Sequence, residues 1–283
     1  MNKLNTKAIM RREVNQVDYE GLLNTGTHPV MARLYASRNI QSDTLLPDIG
    51  LLRAKNTLEG CVEAGKMLAD AVMGNKMCVI IGDFDSDGVT STSICIRALR
   101  ALGGRVGYII PDRVKEGYGL SPSLARRAKD MGADILITVD NGISAFAGVV
   151  EAKRLGLTVL ITDHHLALSD GNLPTADIIV NPNIHGSKFQ TRALAGVGVA
   201  FYVLGALREE LKSRKFELTF NMSQLLDIVA IGTVADMVPL DNCNRALVNM
   251  GINRMRAGQG VVGTKALLSV IGRNPTKTNA ETI

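Results

Sequence analysis

The sequence predicts an α/β protein: a parallel β-sheet with helices on both faces, preceded by a helical N-terminal arm. Three observations carry that prediction. Short apolar runs alternate with helix-patterned segments from Lys76 onward. The runs are continuously apolar, as strands buried on both faces of a parallel sheet must be. The first 75 residues show helical spacing and no comparable run.

In chain order, Met31-Ala32-Arg33-Leu34-Tyr35 and Ala64-Gly65-Lys66-Met67-Leu68-Ala69 read as pieces of amphipathic helices. Leu45-Leu46-Pro47-Asp48-Ile49-Gly50 reads as a loop between them. Strands are expected at Met77–Ile81, Val106–Ile110, Ile135–Val139, Thr158–Ile161 and Ile178–Val180. Helices are expected at Val89–Leu102, Ser121–Met131, Ala145–Leu155 and Ala193–Lys212. The longest apolar stretch, Ala193–Leu207, lies between Arg192 and Arg208 and is shorter than the roughly 20 residues a bilayer span needs, so a buried helix is expected. Beyond Ser223 the pattern is helical again, with Asp227 expected as an N-cap. The closing Thr278-Asn279-Ala280-Glu281 looks like a helix start, which suggests a piece of a longer protein. The expected organisation is an arm at 1–75, a catalytic domain at 76–258, and the start of a linker to a further domain at 259–283.

A length of 283 residues suits one large domain, or one domain with an arm. An apolar content of 46% and a charged content of 21% are those of a soluble globular protein, not a membrane or disordered one. The net charge of +5 tilts toward an anionic partner, nucleic acid being the commonest, although many proteins with such an excess bind none. Cys61, Cys78, Cys95 and Cys243 form no CxxC pair and read as reduced thiols packed as small hydrophobes. Met1-Asn2-Lys3-Leu4 lacks the apolar core of a signal peptide. A cytoplasmic location without membrane contact is the expectation.

The chemistry gathers where the fold would place it. In parallel α/β sheets, ligands bind beyond the carboxyl ends of the strands. The first strand runs into Gly82-Asp83-Phe84-Asp85-Ser86-Asp87-Gly88, three carboxylates on alternate residues. Such crowding is unfavourable unless a cation sits among them. The third strand ends in Asp140-Asn141-Gly142 and the fourth in Asp163-His164-His165. A further acid, Asp236, follows the apolar segment Ile228–Val234. Mixed Asp/His ligation suits Mn²⁺, and Mg²⁺ less well.

Competing motifs are weaker. Asp83-x-Asp85-x-Asp87-Gly88 imitates an EF-hand loop, but Ile94 stands where that loop needs Glu. Asp85-Ser86-Asp87-Gly88-Val89-Thr90 resembles the nucleophile motif of haloacid-dehalogenase-like phosphatases, which leaves His164 and His165 unexplained. Gly60-x4-Gly65-Lys66 nearly matches a P-loop, but Met67 replaces the required hydroxyl residue. Gly196-Val197-Gly198 reads first as a close-packing turn, and secondarily as a phosphate contact at a helix N-terminus. His28 and His185 read as loop residues, and Asp134 and Asp177 as turn formers before strands. Arg11-Arg12, Arg126-Arg127 and Arg254/Arg256 are candidate phosphate contacts, though each alone is more often a solvated face.

The same residues carry a resemblance to the DHH phosphoesterase superfamily. Asp163-His164-His165 is its namesake motif. Gly82–Ser91 resembles the first motif of its RecJ branch, Val139-Asp140-Asn141-Gly142-Ile143 the second, and Gly232–Leu240 the fourth. Glu116-Gly117-Tyr118-Gly119-Leu120, Ala195–Phe201, Asn244–Val248 and His28–Leu34 are similar to smaller signatures of that branch. Phe84 and Ser86 stand where Tyr and Ala are more usual. The resemblance implies a 5′→3′ exonuclease on single-stranded DNA in repair and recombination, using two Mn²⁺ or Mg²⁺ ions. It implies Asp85, Asp87, Asp140, His164 and Asp236 as metal ligands, with Asp83 joining or supporting them and Asp140 bridging two cations about 3.5–4 Å apart. It places His165 toward the scissile phosphate and Asp163 as the acceptor that orients the histidines; Gly196 and Gly198 are candidate substrate contacts as the start of a helix. A single-strand-binding protein or a helicase is the expected kind of protein partner. Family members continue into a second phosphate-binding domain and an oligonucleotide-binding fold, so this chain is expected to bind Mn²⁺ but to degrade DNA poorly. The alternatives are a DHH-type hydrolase of short oligonucleotides, cyclic dinucleotides or pyrophosphate, and an inactive DHH scaffold.

Overall fold

The computed structural model describes residues 10–42, 45, 57–169 and 171–283. They fall into two compact units, one within residues 1–48 and one within 49–283. The smaller unit is a helix pair, α1 (Gln16–Asn24) and α2 (Pro29–Ala36). Asn15 caps α1 by accepting from the N–H groups of Val17 and Asp18. His28, expected only to pack in a loop, caps α2: its Nδ1 accepts from Val30 N at 3.3 Å, and Pro29 supplies the preset first helical φ. Leu22, Ala32 and Ala36 form the buried seam. Of the loop expected at residues 45–50, all but Leu45 lies outside the described residues.

The larger unit holds a five-stranded, wholly parallel sheet in the order β2-β1-β3-β4-β5. The strands are β1 (Met77–Ile81), β2 (Arg105–Ile109), β3 (Ile135–Val139), β4 (Thr158–Thr162) and β5 (Ile178–Val180), each within a residue of its expected bounds. The chain leaves β1 toward β2 on one side, and leaves β3 toward β4 on the other. The gap between β1 and β3 is therefore the topological switch point, the usual place for a ligand.

Alternation along β1 divides the core. Cys78 and Ile80 face α3 (Cys61–Met73), α4 (Ser86–Ala101) and α7 (Gly196–Ser213). Val79 and Ile81 face α5 (Pro122–Asp130) and α6 (Phe146–Arg154). Ile80 and Ile81 are fully buried, each removal from water being worth about 1.5–3 kcal/mol. Ile94, the residue that excludes the calcium loop, is also fully buried. Asp134 and Asp177 do more than form turns: their carboxylates accept from Met77 N and Val159 N, each at 2.7 Å, pinning the start of a neighbouring strand.

The chain continues through α8 (Leu226–Ala235), α9 (Asn242–Arg256) and α10 (Val262–Val270). Asp227 is not the N-cap of α8. It lies in the first turn, fully buried, and its Oδ2 accepts from Val261 N at 2.7 Å, tying the start of α10 to α8. Residues 280–282 form a turn instead of the expected helix start.

Two expected boundaries shift for packing reasons. Helix α3 lies in the larger unit, so the division expected at residue 75 falls inside it. A Cβ on Gly65 would sit 2.7 Å from the Ala206 backbone, which shows how closely α3 and α7 approach. That explains the P-loop look-alike: Gly65 is a packing glycine, and Lys66 is exposed on the helix. Residues 259–283, expected as a linker start, pack back through Leu268 onto Ala230 and Met255.

Candidate metal centre

Beyond the carboxyl end of β1, the chain turns sharply into α4. Asp85 caps that helix, its Oδ1 accepting from Gly88 N at 2.9 Å. Asp83 is buried and its Oδ1 accepts from Phe84 N at 2.7 Å. Gly88 is required here, since a Cβ would lie 2.5 Å from the Cβ of Asp83. Asp87, 1% exposed in the first turn of α4, accepts from Gly196 N at 2.6 Å and Val197 N at 2.8 Å. Its two oxygens thus join the start of α4 to the start of α7, where both helix dipoles favour negative charge.

Asp140 follows β3 in a left-handed conformation, φ +61°, uncommon for a residue with a side chain. Its surroundings over-determine it. Asp140 N donates to Thr162 O at 3.0 Å. The buried Asn141 amide donates to Ile81 O and Val139 O, lacing the ends of β1 and β3 together. The Tyr118 hydroxyl donates to Asp140 O at 3.1 Å.

After β4, the Asp163 carboxylate organises its own loop. It accepts from the N–H groups of Ile143, His164 and His165, and Oδ1 lies 2.8 Å from His165 Nδ1. Asn181 and Asn183 hold the His165 and His164 carbonyls from behind. Asp236 ends α8.

These segments bring the predicted ligands together. His164 Nε2 lies 3.2 Å from Asp140 Oδ1, 3.8 Å from Asp87 Oδ2 and 3.9 Å from Asp236 Oδ2. Asp83, Asp85 and Asp140 form a second cluster whose ligand atoms lie within 4.8 Å of one another. Asp140 is adjacent to both clusters.

The charge state of the cluster is unfavourable without a cation. Burial, and then the neighbouring Asp85 carboxylate, push the Asp140 carboxyl up to about 9. Burial and Asp140 push Asp87 well above the usual carboxylate range. Burial and Asp85 raise Asp83 as well, partly offset by the Phe84 N–H, His165 and Arg113. Asp163 goes the other way: burial opposes its ionisation, but bonds from His165 and the backbone outweigh it and hold the carboxyl low. The bond to Asp163 in turn raises His165.

A cation fits these donors. Asp140 Oδ1, His164 Nε2 and Asp236 Oδ2 are buried, have no hydrogen-bond partner, and face one another. Buried polar atoms rarely stay unpaired. Oxygen and imidazole donors together suit Mn²⁺, or Mg²⁺ with water completing its shell.

Two sequence expectations change. Gly196 and Gly198 offer no free N–H to a substrate: Gly196 N serves Asp87, and Gly198 N donates to Ala195 O at 2.9 Å. The first reading, a close-packing turn, fits Gly196: a Cβ there would sit 2.7 Å from Asp140 Cβ and Oδ1. Sequence reasoning placed Tyr118 within a signature but gave it no role, and passed over Arg113; the Tyr118 hydroxyl is 3.3 Å from His165 Nδ1, and the Arg113 guanidinium lies 4.6 Å over the Phe84 ring. The glycines around Tyr118 were the available signal: Gly117 and Gly119 both have positive φ and set the turn that presents it.

The family described as DHH family, N-terminal domain, matches residues 77–233. The chain is 45% identical over 252 residues to the single-stranded-DNA-specific exonuclease RecJ of Dickeya dadantii, covering 87% of this chain and 43% of that protein. It is 42% identical over 277 residues to the protein of the same name from Escherichia coli, covering 95% of this chain and 47% of that protein. The chain thus spans a little under half the length of these relatives. Among solved structures, RecJ in complex with Mn²⁺ from Thermus thermophilus matches with a TM-score of 0.75 at 29% identity, covering 92% of this chain and 36% of that one. An exonuclease RecJ bound to manganese matches with a TM-score of 0.69 at 34% identity, covering 79% of this chain and 54% of that one.

Proposed function

The chain belongs to the DHH family, and on that premise we propose that it carries the centre of a RecJ-type exonuclease, a Mn²⁺- or Mg²⁺-dependent phosphodiesterase acting on single-stranded DNA. One observation supports this most: the orphaned donors of Asp140, His164 and Asp236 converge beside the switch point of the sheet. Asp87, His164 and Asp236 would hold one ion, Asp83 and Asp85 a second, and Asp140 would serve both. Bound there, the ions supply Lewis-acid polarisation of the phosphodiester and activation of water near neutral pH.

The chain's own groups do the positioning. The strained Asp140 backbone, fixed by Asn141 and Tyr118, aims its carboxylate between the two clusters. Asp163 accepts the Nδ1 proton of His165 and so fixes its tautomer, leaving Nε2 to act on substrate. With its pKa raised, His165 donates from Nε2 to a phosphate or leaving-group oxygen as negative charge develops. The proposal includes a 5′→3′ direction, a role in repair, and a single-strand-binding protein or helicase as partner, all supported by family resemblance. A cytoplasmic location belongs to the same proposal, supported by four buried, unbridged cysteines. No helix among the described residues is long and apolar enough to cross a membrane.

The test compares 5′-phosphorylated single-stranded DNA, dinucleotides and pyrophosphate as substrates in Mn²⁺. The expected result is slow, metal-dependent release of nucleotides from DNA. A preference for dinucleotides or pyrophosphate would turn the reading toward a short-substrate hydrolase, and failure to bind Mn²⁺ toward a scaffold.

A further inference from the structure

The three basic pairs of the sequence do not share one fate. Arg126 pairs with Glu151 at 2.7 Å and Arg127 with Glu116 at 3.2 Å. Arg256 donates to Thr278 O and Arg254 to Gln259. Arg11 and Arg12 remain. They lie in the irregular segment before α1, where they line a groove of about 450 Å³ together with Arg33 and Arg38 of the α2 end. Val14 and Leu34 also line it. All four arginines are exposed, and among the described residues none is ion-paired with a carboxylate.

Two of these cations have a local explanation. Arg33 sits in the last turn of α2 and Arg38 donates to Leu34 O at 3.1 Å, so both complement the negative end of that helix. Arg11 and Arg12 have none, since they precede α1 at its positive end, where cations are disfavoured. Four guanidinium groups from two segments repel one another across one groove. Such an arrangement is favoured by a polyanion that neutralises several of them together.

We infer that this groove binds the phosphodiester backbone of single-stranded DNA. The inference rests on the proposed action on that substrate and adds a second binding site, in a unit separate from the metal centre. Three features select the ligand. Guanidinium forks match phosphate oxygens bidentately. The volume lies in the range of ordinary ligand sites. Among the described residues the lining has no aromatic ring on which a base could stack, so the backbone would be gripped without regard to sequence.

The test uses the full chain in EDTA, where binding is read without cleavage. A triple variant, Arg11→Gln, Arg12→Gln and Arg33→Gln, is compared with a control of equal charge change, Arg97→Gln, Arg100→Gln and Lys129→Gln. All six residues are exposed. Fluorescence anisotropy with labelled oligo-dT is measured across salt concentrations. The groove variant should bind on the order of tenfold more weakly, with a salt slope smaller by about 2 (~0.7 for each phosphate no longer neutralised), and the control should change far less. Equal effects of the two triples, or no DNA binding by the parent chain, would overturn the inference. So would loss of binding to an acidic peptide with oligo-dT affinity unchanged. Failure of the metal centre would appear separately, as absent Mn²⁺-dependent cleavage by a parent chain that still binds oligo-dT.

Discussion

Asp87 Oδ2 accepts a hydrogen bond from Gly196 N at 2.6 Å, joining the starts of α4 and α7 across 109 residues of sequence. The bond brings α7 so close to the second carboxylate that a Cβ on Gly196 would lie 2.7 Å from Asp140 Oδ1. Gly196 therefore acts on the metal centre through packing.

Gly196→Ala should push Asp140 away from His164 or α7 away from Asp87. Overpacking of this kind costs about 1–3 kcal/mol. Mn²⁺ affinity by calorimetry should fall roughly 10–100-fold, the usual scale when a group that supports a metal ligand is removed. At Gly198 the nearest atoms to an added Cβ belong to the flexible Leu194 side chain, at 3.0 Å and beyond, so Gly198→Ala should be much milder. Equal effects at both positions would contradict the packing role given to Gly196.

Asp140→Asn separates charge from shape. Asn tolerates the left-handed backbone at φ +61°, so the loop should survive. Mn²⁺ binding and Mn²⁺-dependent turnover should be lost. The metal-free variant should nonetheless melt at a higher temperature than the parent, because one buried carboxylate is gone from a crowded set. Thermal melts in EDTA check this, and a lower midpoint would count against it.

The same crowding predicts how the metal-free chain responds to pH. Asp140 is pushed up to about 9, and Asp87 is raised too, while their unfolded counterparts ionise near 4. Between those values the folded chain binds more protons than the unfolded one, so stability falls as pH rises. Melting points in EDTA should drop from pH 5 to pH 8. Saturating Mn²⁺ should reverse the trend, because binding expels those protons and its affinity rises with pH. A metal-induced gain in melting temperature that stays constant across this range would refute the account.

Much of this centre was legible because strand ends are local features. Asp83, Asp140 and Asp163 each follow a continuous apolar run, and a parallel sheet brings such ends to one edge. What was not legible depends on partners distant in sequence. Asn141 reaches Ile81, 60 residues away, and Tyr118 reaches His165, 47 residues away. Gly196 was legible as a close-packing glycine, but its secondary reading as a phosphate contact could not be dismissed from sequence, because a glycine at a helix start has the same signature whether a ligand or a carboxylate occupies the N–H. Asp227 looked like a cap because nothing in its vicinity announces Val261. The boundary at residue 75 misled for a similar reason: α3 precedes the first strand in sequence but packs on α7, far along the chain.

The Asp163–His165 pair yields the most selective test. Asp163 is held below the usual carboxylate range and His165 above the usual imidazole range, each mainly sustained by the other. Asp163→Asn removes the anion and should lower the titration of His165, read by NMR in the metal-free chain. It also leaves an amide where Ile143 N and His165 Nδ1 both donate, so one buried donor goes unsatisfied at a cost of about 1–3 kcal/mol. The two effects separate by pH. The lowered Asp163 contributes stability above its unfolded pKa, near 3.8, and loses it as pH falls through its lower folded value. The raised His165 contributes below its unfolded pKa, near 6.5, and loses it as pH rises through its higher folded value. The parent should therefore exceed the variant in stability most strongly near pH 5–6, and the gap should narrow above pH 7 as the His165 contribution is lost. In the active enzyme, the alkaline limb of the rate profile should move to lower pH, because His165 loses its proton earlier. A gap independent of pH, together with an unmoved rate profile, would mean that Asp163 only shapes the loop and does not set the charge of His165.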